Sequence, residues 1–174
     1  MALEIFAYKR HATVARYTGD DTRVVIPSEY AGLPVTEIRD GAFAANTTLE
    51  AVLLPKNLER IGASAFEACT ALRFAGFLLE EGQTDLLSLP EDAVSMVSVL
   101  PDTLRYIGDN AFAGSGLQMV DIRSTRLEMG DSVFQDCPKL NMVSLFDCET
   151  LLLGTKVFMG SSLNRFYAPD VKQC

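Results

Sequence analysis

The single histidine and the four cysteines are the residues of this 174-residue chain best suited to chemistry. His11 could serve as a general base or a metal ligand, and a thiolate from Cys69, Cys137, Cys148 or Cys174 could act as a nucleophile or bind zinc. Zinc ligands usually come in closely spaced pairs, and no two of these cysteines have the C-x-x-C spacing. We therefore expect His11 to be a structural or surface residue, and no zinc site is predicted.

Other catalytic arrangements also lack support in the sequence. Gly114-Ser115-Gly116 does not have the strand–loop–helix context that a phosphate-binding loop requires. No serine is placed to pair with His11, and no carboxylates occupy equivalent positions in neighbouring segments, as a glycosidase would need. The sequence therefore predicts neither an enzyme nor a cofactor.

The elements that position these residues repeat along the chain. The dipeptide Ala-Phe or Val-Phe occurs five times, with its phenylalanines spaced 23, 46, 22 and 24 residues apart, at Phe43, Phe66, Phe112, Phe134 and Phe158. A fixed period of this size is typical of a solenoid, in which each unit buries its apolar face against its neighbours. The period skips one unit, where Leu89 stands in place of a phenylalanine.

Each unit has the form L-x-x-V-x-I-P-x-x-L-x-x-I-G-x-x-A-F-x-x-C/N. The alternating V-x-I positions predict a strand with one buried face, and the proline ends that strand because it has no N–H to donate. The Ala-Phe pair is expected on the opposite wall, in a short helical turn that directs the phenylalanine into the shared core. Cys69 and Cys137 follow a repeat phenylalanine by three residues, so we expect buried, reduced thiols at a tight turn.

The domain organisation follows from the same frame. Residues 1–16 alternate well enough to form a capping hairpin, residues 17–170 form the repeat domain, and residues 171–174 form a tail. Within the repeat domain, the unit near residues 78–95 is degenerate. It is either a decayed coil or one whose outer wall was remodelled for contact.

The net charge of the chain restricts the classes of partner that it can bind. A net charge of −8 and the absence of a basic stripe argue against nucleic acid or anionic lipid as the main ligand. No apolar run approaches the roughly 18–20 residues needed to cross a bilayer, so membrane insertion is not predicted. A cytoplasmic location is expected for the sequence as given, with the cell surface or secretion as the alternative if a leader has been removed.

The repeat unit resembles that of the BspA-like leucine-rich repeat family of bacterial and protozoan proteins. The opening Tyr-Thr-Gly…Val-Val-Ile-Pro-Ser…Gly-Leu-Pro-Val-Thr-Glu-Ile is similar to the usual first repeat of that family, and the resemblance covers roughly residues 17–170. It implies an α/β repeat solenoid: a right-handed superhelix with a ladder of short parallel strands, about six coils of roughly 23 residues and little true helix. It also implies recognition rather than catalysis, since family members are often exported adhesins that bind host matrix proteins or mediate aggregation.

The residues that the strands turn outward form two columns across the coils. The first contains Arg23, Ala51, Phe74, Val97, Met119, Met142 and Arg165, and the second Val25, Leu53, Gly76, Val99, Asp121, Ser144 and Tyr167. The first column is largely apolar, and an exposed apolar stripe of this extent typically marks an interface. The alternatives are that parallel strands favour apolar residues in any case, or that another segment covers the stripe.

The sequence thus predicts a non-enzymatic module that binds another protein or a peptide through the concave face of its strand ladder. The predicted partner-binding residues are Arg23, Leu53, Phe74, Val97, Val99, Met119, Asp121, Met142, Ser144, Arg165 and Tyr167. The alternative is a self-associating structural or adhesin-type protein, a homo-oligomer whose uncapped C-terminal edge at residues 165–168 stacks on a second copy.

Overall fold

The computed structural model describes residues 2–77 and 97–168. The degenerate coil near residues 78–95 and the tail at 171–174 lie outside these residues. The described residues form strands and turns with no α-helix. The strands are β1 (Leu3–Ala7), β2 (Ala12–Tyr17), β3 (Arg23–Val25), β4 (Glu29–Tyr30), β5 (Leu33–Ile38), β6 (Ala51–Leu53), β7 (Arg60–Ile61), β8 (Phe74–Gly76), β9 (Val97–Leu100), β10 (Tyr106–Ile107), β11 (Met119–Ile122), β12 (Arg126–Met129), β13 (Met142–Ser144), β14 (Thr150–Leu153) and β15 (Arg165–Tyr167).

The strands form two opposite walls of a solenoid. One wall is a sheet with the order β1-β2-β5-β7-β10-β12-β14, with β4 paired to β5, and we call it the wall sheet. The other wall consists of two parallel sheets, β3-β6-β8 and β9-β11-β13-β15. We call the outward surface of these seven strands the ladder face. The predicted solenoid with a ladder of short parallel strands is confirmed, and both of its walls are made of strands.

The core between the walls is built from the repeat positions. Val52, Val120 and Val143 point inward from the ladder strands and are fully or almost fully buried. The repeat phenylalanines stack on one another with ring centroids 4.9–5.8 Å apart. Tyr17 extends this aromatic column at its N-terminal end, 5.4 Å from Phe43. Since stacked rings exclude water along the whole column, the regular spacing of Phe in the sequence indicates the position of the core.

The Ala-Phe pairs lie in turns rather than in the short helical turns predicted from the sequence. The backbone N–H of Phe43 donates to Ala65 in the next coil, and that of Phe66 donates to Ala111. The residues that alternate with them bond within the turn, as the N–H of Ala44 does to the carbonyl of Gly41, so the bonds alternate and no continuous helical series forms. The wall therefore continues its coil-to-coil hydrogen bonding through the turns.

Aspartates after the wall strands connect one coil to the next. Oδ1 of Asp109 accepts the N–H of Asp131 at 2.7 Å, and Oδ1 of Asp131 accepts the N–H of Thr155 at 2.7 Å. The residue before each of these aspartates is a glycine, because the backbones of neighbouring coils are in close contact there. A Cβ on Gly108 would lie 2.5 Å from the backbone nitrogen of Ala63. The glycine of the repeat thus permits close coil stacking.

The skipped unit of the period has a structural counterpart, which we call the joint. In the wall sheet β7 pairs directly with β10, so Ile61 lies beside Ile107, and Phe66 stacks on Phe112 at 5.2 Å. On the ladder side, β8 and β9 lie between β6 and β11. The ladder side therefore advances by two strands between β6 and β9, whereas the wall sheet advances by one strand between β7 and β10.

Side-chain and single backbone contacts replace the regular ladder at the joint. The Ala75 N–H donates to the hydroxyl of Ser98 at 2.9 Å, and the Phe77 N–H donates to the carbonyl of Val99 at 3.1 Å. Ser98 is buried, and a Cβ on Gly76 would come within 2.7 Å of the Val99 backbone. Ser98 and Gly76 therefore allow β8 and β9 to lie side by side without regular pairing.

The first strands form an antiparallel hairpin at the N-terminal end. Leu3 of β1 pairs with Tyr17 of β2, and β2 runs parallel to β5 in the wall sheet. The domain boundaries at residues 16 and 170 stay predictions. Among the residues that the structure describes, no helix has the length and apolar character to cross a membrane.

Candidate functional site

The two outward columns have the register that the sequence predicts. In the first column Arg23, Ala51 and Phe74 are paired across three strands, and Val97, Met119, Met142 and Arg165 across four. In the second, Val25, Leu53 and Gly76 are paired, followed by Val99, Asp121, Ser144 and Tyr167. Within each of the two sheets, neighbouring side chains of a column are one strand spacing apart, so each column forms a continuous row on either side of the joint.

The accessibility of the ladder face increases from its centre toward its C-terminal end. Met119 and Met142 are partly exposed, as are Asp121 and Ser144 beside them. Arg165 is exposed on the last strand. Tyr167 is 46% exposed and is the most accessible aromatic residue of the ladder strands. At the N-terminal end of the face, Arg23 and Leu53 are partly exposed.

The centre of the ladder face differs from the exposed stripe that the sequence predicts. Phe74 is 2% exposed and Val99 is 5% exposed, while their neighbour Val97 is partly exposed. Phe74 and Val99 do not belong to the cluster that forms the core between the walls. A buried side chain has no area to offer a partner, so these two predicted contact residues are inaccessible in this structure.

The charges of the ladder face are not distributed evenly. The Asp121 carboxylate accepts a hydrogen bond from Nε of Arg123 at 3.2 Å, which largely neutralises the acidic position of the second column. Arg165 lies beside Met142 on the outermost strand and forms no ion pair with the described residues. The accessible part of the face therefore combines two methionines, a tyrosine and one uncompensated cation.

The thiols do not contribute reactive groups to this face. Cys69 and Cys137 are buried, as the sequence predicts, and their S–H groups donate to the carbonyls of Phe43 and Phe112 at 3.1 Å each. Burial raises the pKa of Cys69 to about 11 and also raises the pKa of Cys137, so neither thiol is ionised near neutral pH. Within residues 2–77 and 97–168, no group of three potential metal ligands converges.

The last described coil leaves its own core positions uncovered. Leu153 occupies the wall position at which Ile38, Ile61 and Ile107 are fully buried, yet it is 46% exposed. Phe166 occupies the inward ladder position of Val143 and is 44% exposed. These two side chains make the end of the stack an apolar surface distinct from the ladder face.

Two contributors to the site were not found from the sequence. In the sequence, Ser98 is one position of a predicted strand with no distinguishing signal. In the structure its hydroxyl holds β8 and β9 together at the joint. Arg123 and Asp121 are two residues apart in sequence. Side chains two residues apart lie on the same face of an extended segment, and this is the signal that could have indicated the pair. The burial of Phe74 and Val99 has no local signal in the sequence.

Comparison with known proteins agrees with this fold. The sequence signature of the BspA type leucine-rich repeat region matches in six copies over residues 24–78 and 94–173, which is most of the chain. The sequence matches none of the curated proteins with which it was compared. The matched repeat type is generally found in protein-interaction and cell-surface proteins.

Two solved structures share the fold at low sequence identity. The leucine-rich cell surface protein of Faecalibacterium prausnitzii is 20% identical, with a TM-score of 0.54, and the match covers 96% of this chain and 49% of that protein. The pneumococcal vaccine antigen PcpA is 14% identical, with a TM-score of 0.60, and the match covers 95% of this chain and 44% of that protein. The chain thus spans about half the length of either protein. On the strength of the repeat signature, this chain belongs to the BspA-type leucine-rich repeat family.

Proposed function

We propose that the chain is a non-enzymatic interaction module that binds an extended segment of another protein on the C-terminal half of its ladder face. The contact residues in this proposal are Met119, Asp121, Met142, Ser144, Arg165 and Tyr167. The observation that carries it is the row Met119–Met142–Arg165, in which two partly exposed methionines lie in register beside an exposed cation.

The chemistry of this row favours a partner segment with both apolar and acidic groups. Methionine side chains adapt to different apolar shapes, which suits a surface that accepts variable side chains. Arg165 can pair with a carboxylate of the partner, and Tyr167 can provide aromatic contact area. The general role of this repeat type in protein interaction supports the proposal.

The test is a change of charge within the apolar row. Peptides selected from a random library against the whole chain are measured for binding to the Met119→Asp/Met142→Asp variant. We expect binding to weaken at least about tenfold, because each aspartate replaces buried apolar contact with a solvated charge. The measurement is a fluorescence titration, with circular dichroism to verify that the fold is retained.

The matched control is Met159→Asp. Met159 is 51% exposed and lies outside the ladder strands. If the selected peptides bind the double variant as tightly as the wild type, or lose equal affinity for Met159→Asp, the ladder face is not the binding surface.

The cellular location of this module is a separate question. The F. prausnitzii protein that shares the fold is described as a cell surface protein, which favours a surface location over the cytoplasmic one. Fractionation of cells that express the full gene product distinguishes the two, because a surface protein is removed by protease added to intact cells and a cytoplasmic protein is not.

The second candidate function is self-association through the last coil. The exposure of Leu153 and Phe166 at core positions favours it, since a second copy stacked on this end would bury both. Light scattering across a range of protein concentrations tests it, with Tyr167→Lys as the disrupting variant. A monomer for wild type and variant alike at every concentration would dismiss this candidate.

A further inference from the structure

A second site lies on the wall sheet, where the N-terminal hairpin meets β5 and β7. A cleft of about 370 Å³ opens there, lined chiefly by Arg10, His11, Pro34, Glu37, Glu59 and Arg60. Its volume falls within the range of small-molecule sites, about 300–1,000 Å³. We call it the cap cleft. It is on the wall opposite the ladder face, so the inference below does not depend on the function proposed for that face.

One arginine of the cap cleft is held in place by its neighbours. The Arg60 guanidinium lies 4.2 Å from the centroid of the Tyr106 ring, and its Nε is 3.7 Å from Oε1 of Glu37. Glu37 is itself fixed, since the Thr13 hydroxyl donates to its Oε2 at 3.4 Å. The charges of Arg60 and Glu37 thus offset each other, and the two side chains form an ordered polar base of the cleft.

Two opposite charges of the cap cleft have no such partner. Arg10, from the turn between β1 and β2, and Glu59, at the entry to β7, form no ion pair or side-chain hydrogen bond with the residues that the structure describes. One is a cation and the other an anion. A ligand that pairs with both carries an anionic and a cationic group, as the carboxylate and ammonium group of a zwitterion do.

The remaining lining provides ring surfaces for contact. The edge of the His11 ring faces Glu37, with Nε2 4.0 Å from Oε2, and the ring is stacked on Tyr8 with centroids 5.2 Å apart. Pro34 lines the cleft with its partly exposed ring. A zwitterion with an apolar side chain satisfies charge and shape together. We propose that the cap cleft binds a free amino acid, with its carboxylate at Arg10, its ammonium group at Glu59 and its side chain against Pro34 and His11.

The test compares leucine with two derivatives that each lack one charge. Leucine amide has no carboxylate and N-acetylleucine has no ammonium group. Two-dimensional NMR titration of the whole chain should show leucine shifting the amide signals of the cleft residues, with a dissociation constant on the order of 1 mM. Each derivative should bind about tenfold more weakly, because it leaves one charged side chain without its partner.

Two variants assign the charges to residues. In Arg10→Gln, leucine should bind no better than leucine amide, and in Glu59→Gln it should bind no better than N-acetylleucine. Both side chains are exposed and have no ion pair or side-chain hydrogen bond to lose within the described structure, so both variants should fold. Arg126→Gln, which removes an exposed arginine of the same sheet, is the matched control and should bind leucine normally.

Three results would overturn the proposal. The first is the absence of shifts in the cleft signals with leucine. The second is equal binding of leucine and both derivatives. The third is unchanged discrimination between leucine and its derivatives in the Arg10 and Glu59 variants.

Discussion

At the residue scale, the position three residues after each repeat phenylalanine carries a side chain that can donate a hydrogen bond: Asn46, Cys69, Ser115, Cys137 and Ser161. Cys69 and Cys137 donate to the carbonyl of a phenylalanine in the preceding coil, and the Ser161 hydroxyl donates to the carbonyl of Phe158 in its own coil. Sulfur and oxygen both reach a carbonyl here without enlarging the turn. The cysteines therefore serve as packed donors, and their chemistry is suppressed by burial.

The ionisation of Cys69 predicts how stability depends on pH. Burial raises the pKa of this thiol from 9.0 to about 11 in the folded state, so folding favours the protonated form. The stabilisation is complete below pH 9 and is lost as the pH rises from 9 toward about 11, because the unfolded chain releases this proton first. Urea unfolding across this window should show a smaller loss of stability for Cys69→Ser than for the wild type.

Serine keeps the hydrogen bond and does not titrate, so it isolates the ionisation. Tyr17, whose pKa burial raises to about 12, and the thiols of Cys137 and Cys148, whose pKa values burial also raises, contribute the slope that remains in the variant. Identical slopes for wild type and Cys69→Ser would show that the thiol is not responsible.

At the element scale, the aromatic column connects coils that are distant in sequence. Phe66 and Phe112 are 46 residues apart, and they stack at 5.2 Å with an interplanar angle of 3°. This contact joins the two halves of the wall sheet across the joint, together with the pairing of β7 and β10. In a solenoid each unit is stabilised only by its neighbours, so this stacking contact and the pairing of β7 and β10 transmit stability between the halves of the wall sheet.

Truncation of the column at the joint should therefore be costly. Phe112→Ala is expected to lower the free energy of unfolding by about 3–5 kcal/mol, since it leaves a cavity between two stacked rings. Phe146→Ala is the matched control, because Phe146 is 70% exposed and should cost less than about 0.5 kcal/mol. Urea denaturation measures both, and comparable losses for the two variants would contradict the role of the column.

At the scale of the whole molecule, periodic features could be predicted from the sequence and contacts between distant segments could not. The spacing of Phe and the L-x-x-V pattern predict the coils, the buried columns and the register of the ladder face. The direct stacking of Phe66 on Phe112 has no local signal, because the sequence does not show which coils become neighbours. The burial of Phe74 and the cap cleft likewise arise from tertiary packing between separate elements.

Protection against hydrogen exchange should decrease toward the last coil. The amides of β7 and β10 lie between neighbouring strands over a buried core, whereas β14 and β15 are edge strands with exposed Leu153 and Phe166. Mass spectrometry of deuterium uptake should show exchange in β14 and β15 well before β7 and β10. Equal protection at low protein concentration would contradict this gradient, and protection of β15 that grows with concentration would favour self-association.

The additional ladder step at the joint sets the direction in which the two halves of the solenoid point. For two walls roughly 10 Å apart, one extra strand spacing of about 4.8 Å on one wall corresponds to a wedge of roughly 25°. The ladder face is divided at β8 and β9 into sheets of three and four strands. A rigid flat partner that lies along the larger sheet contacts at most the four strands β9, β11, β13 and β15. The change of direction at the joint then determines whether two such ligands can bind side by side.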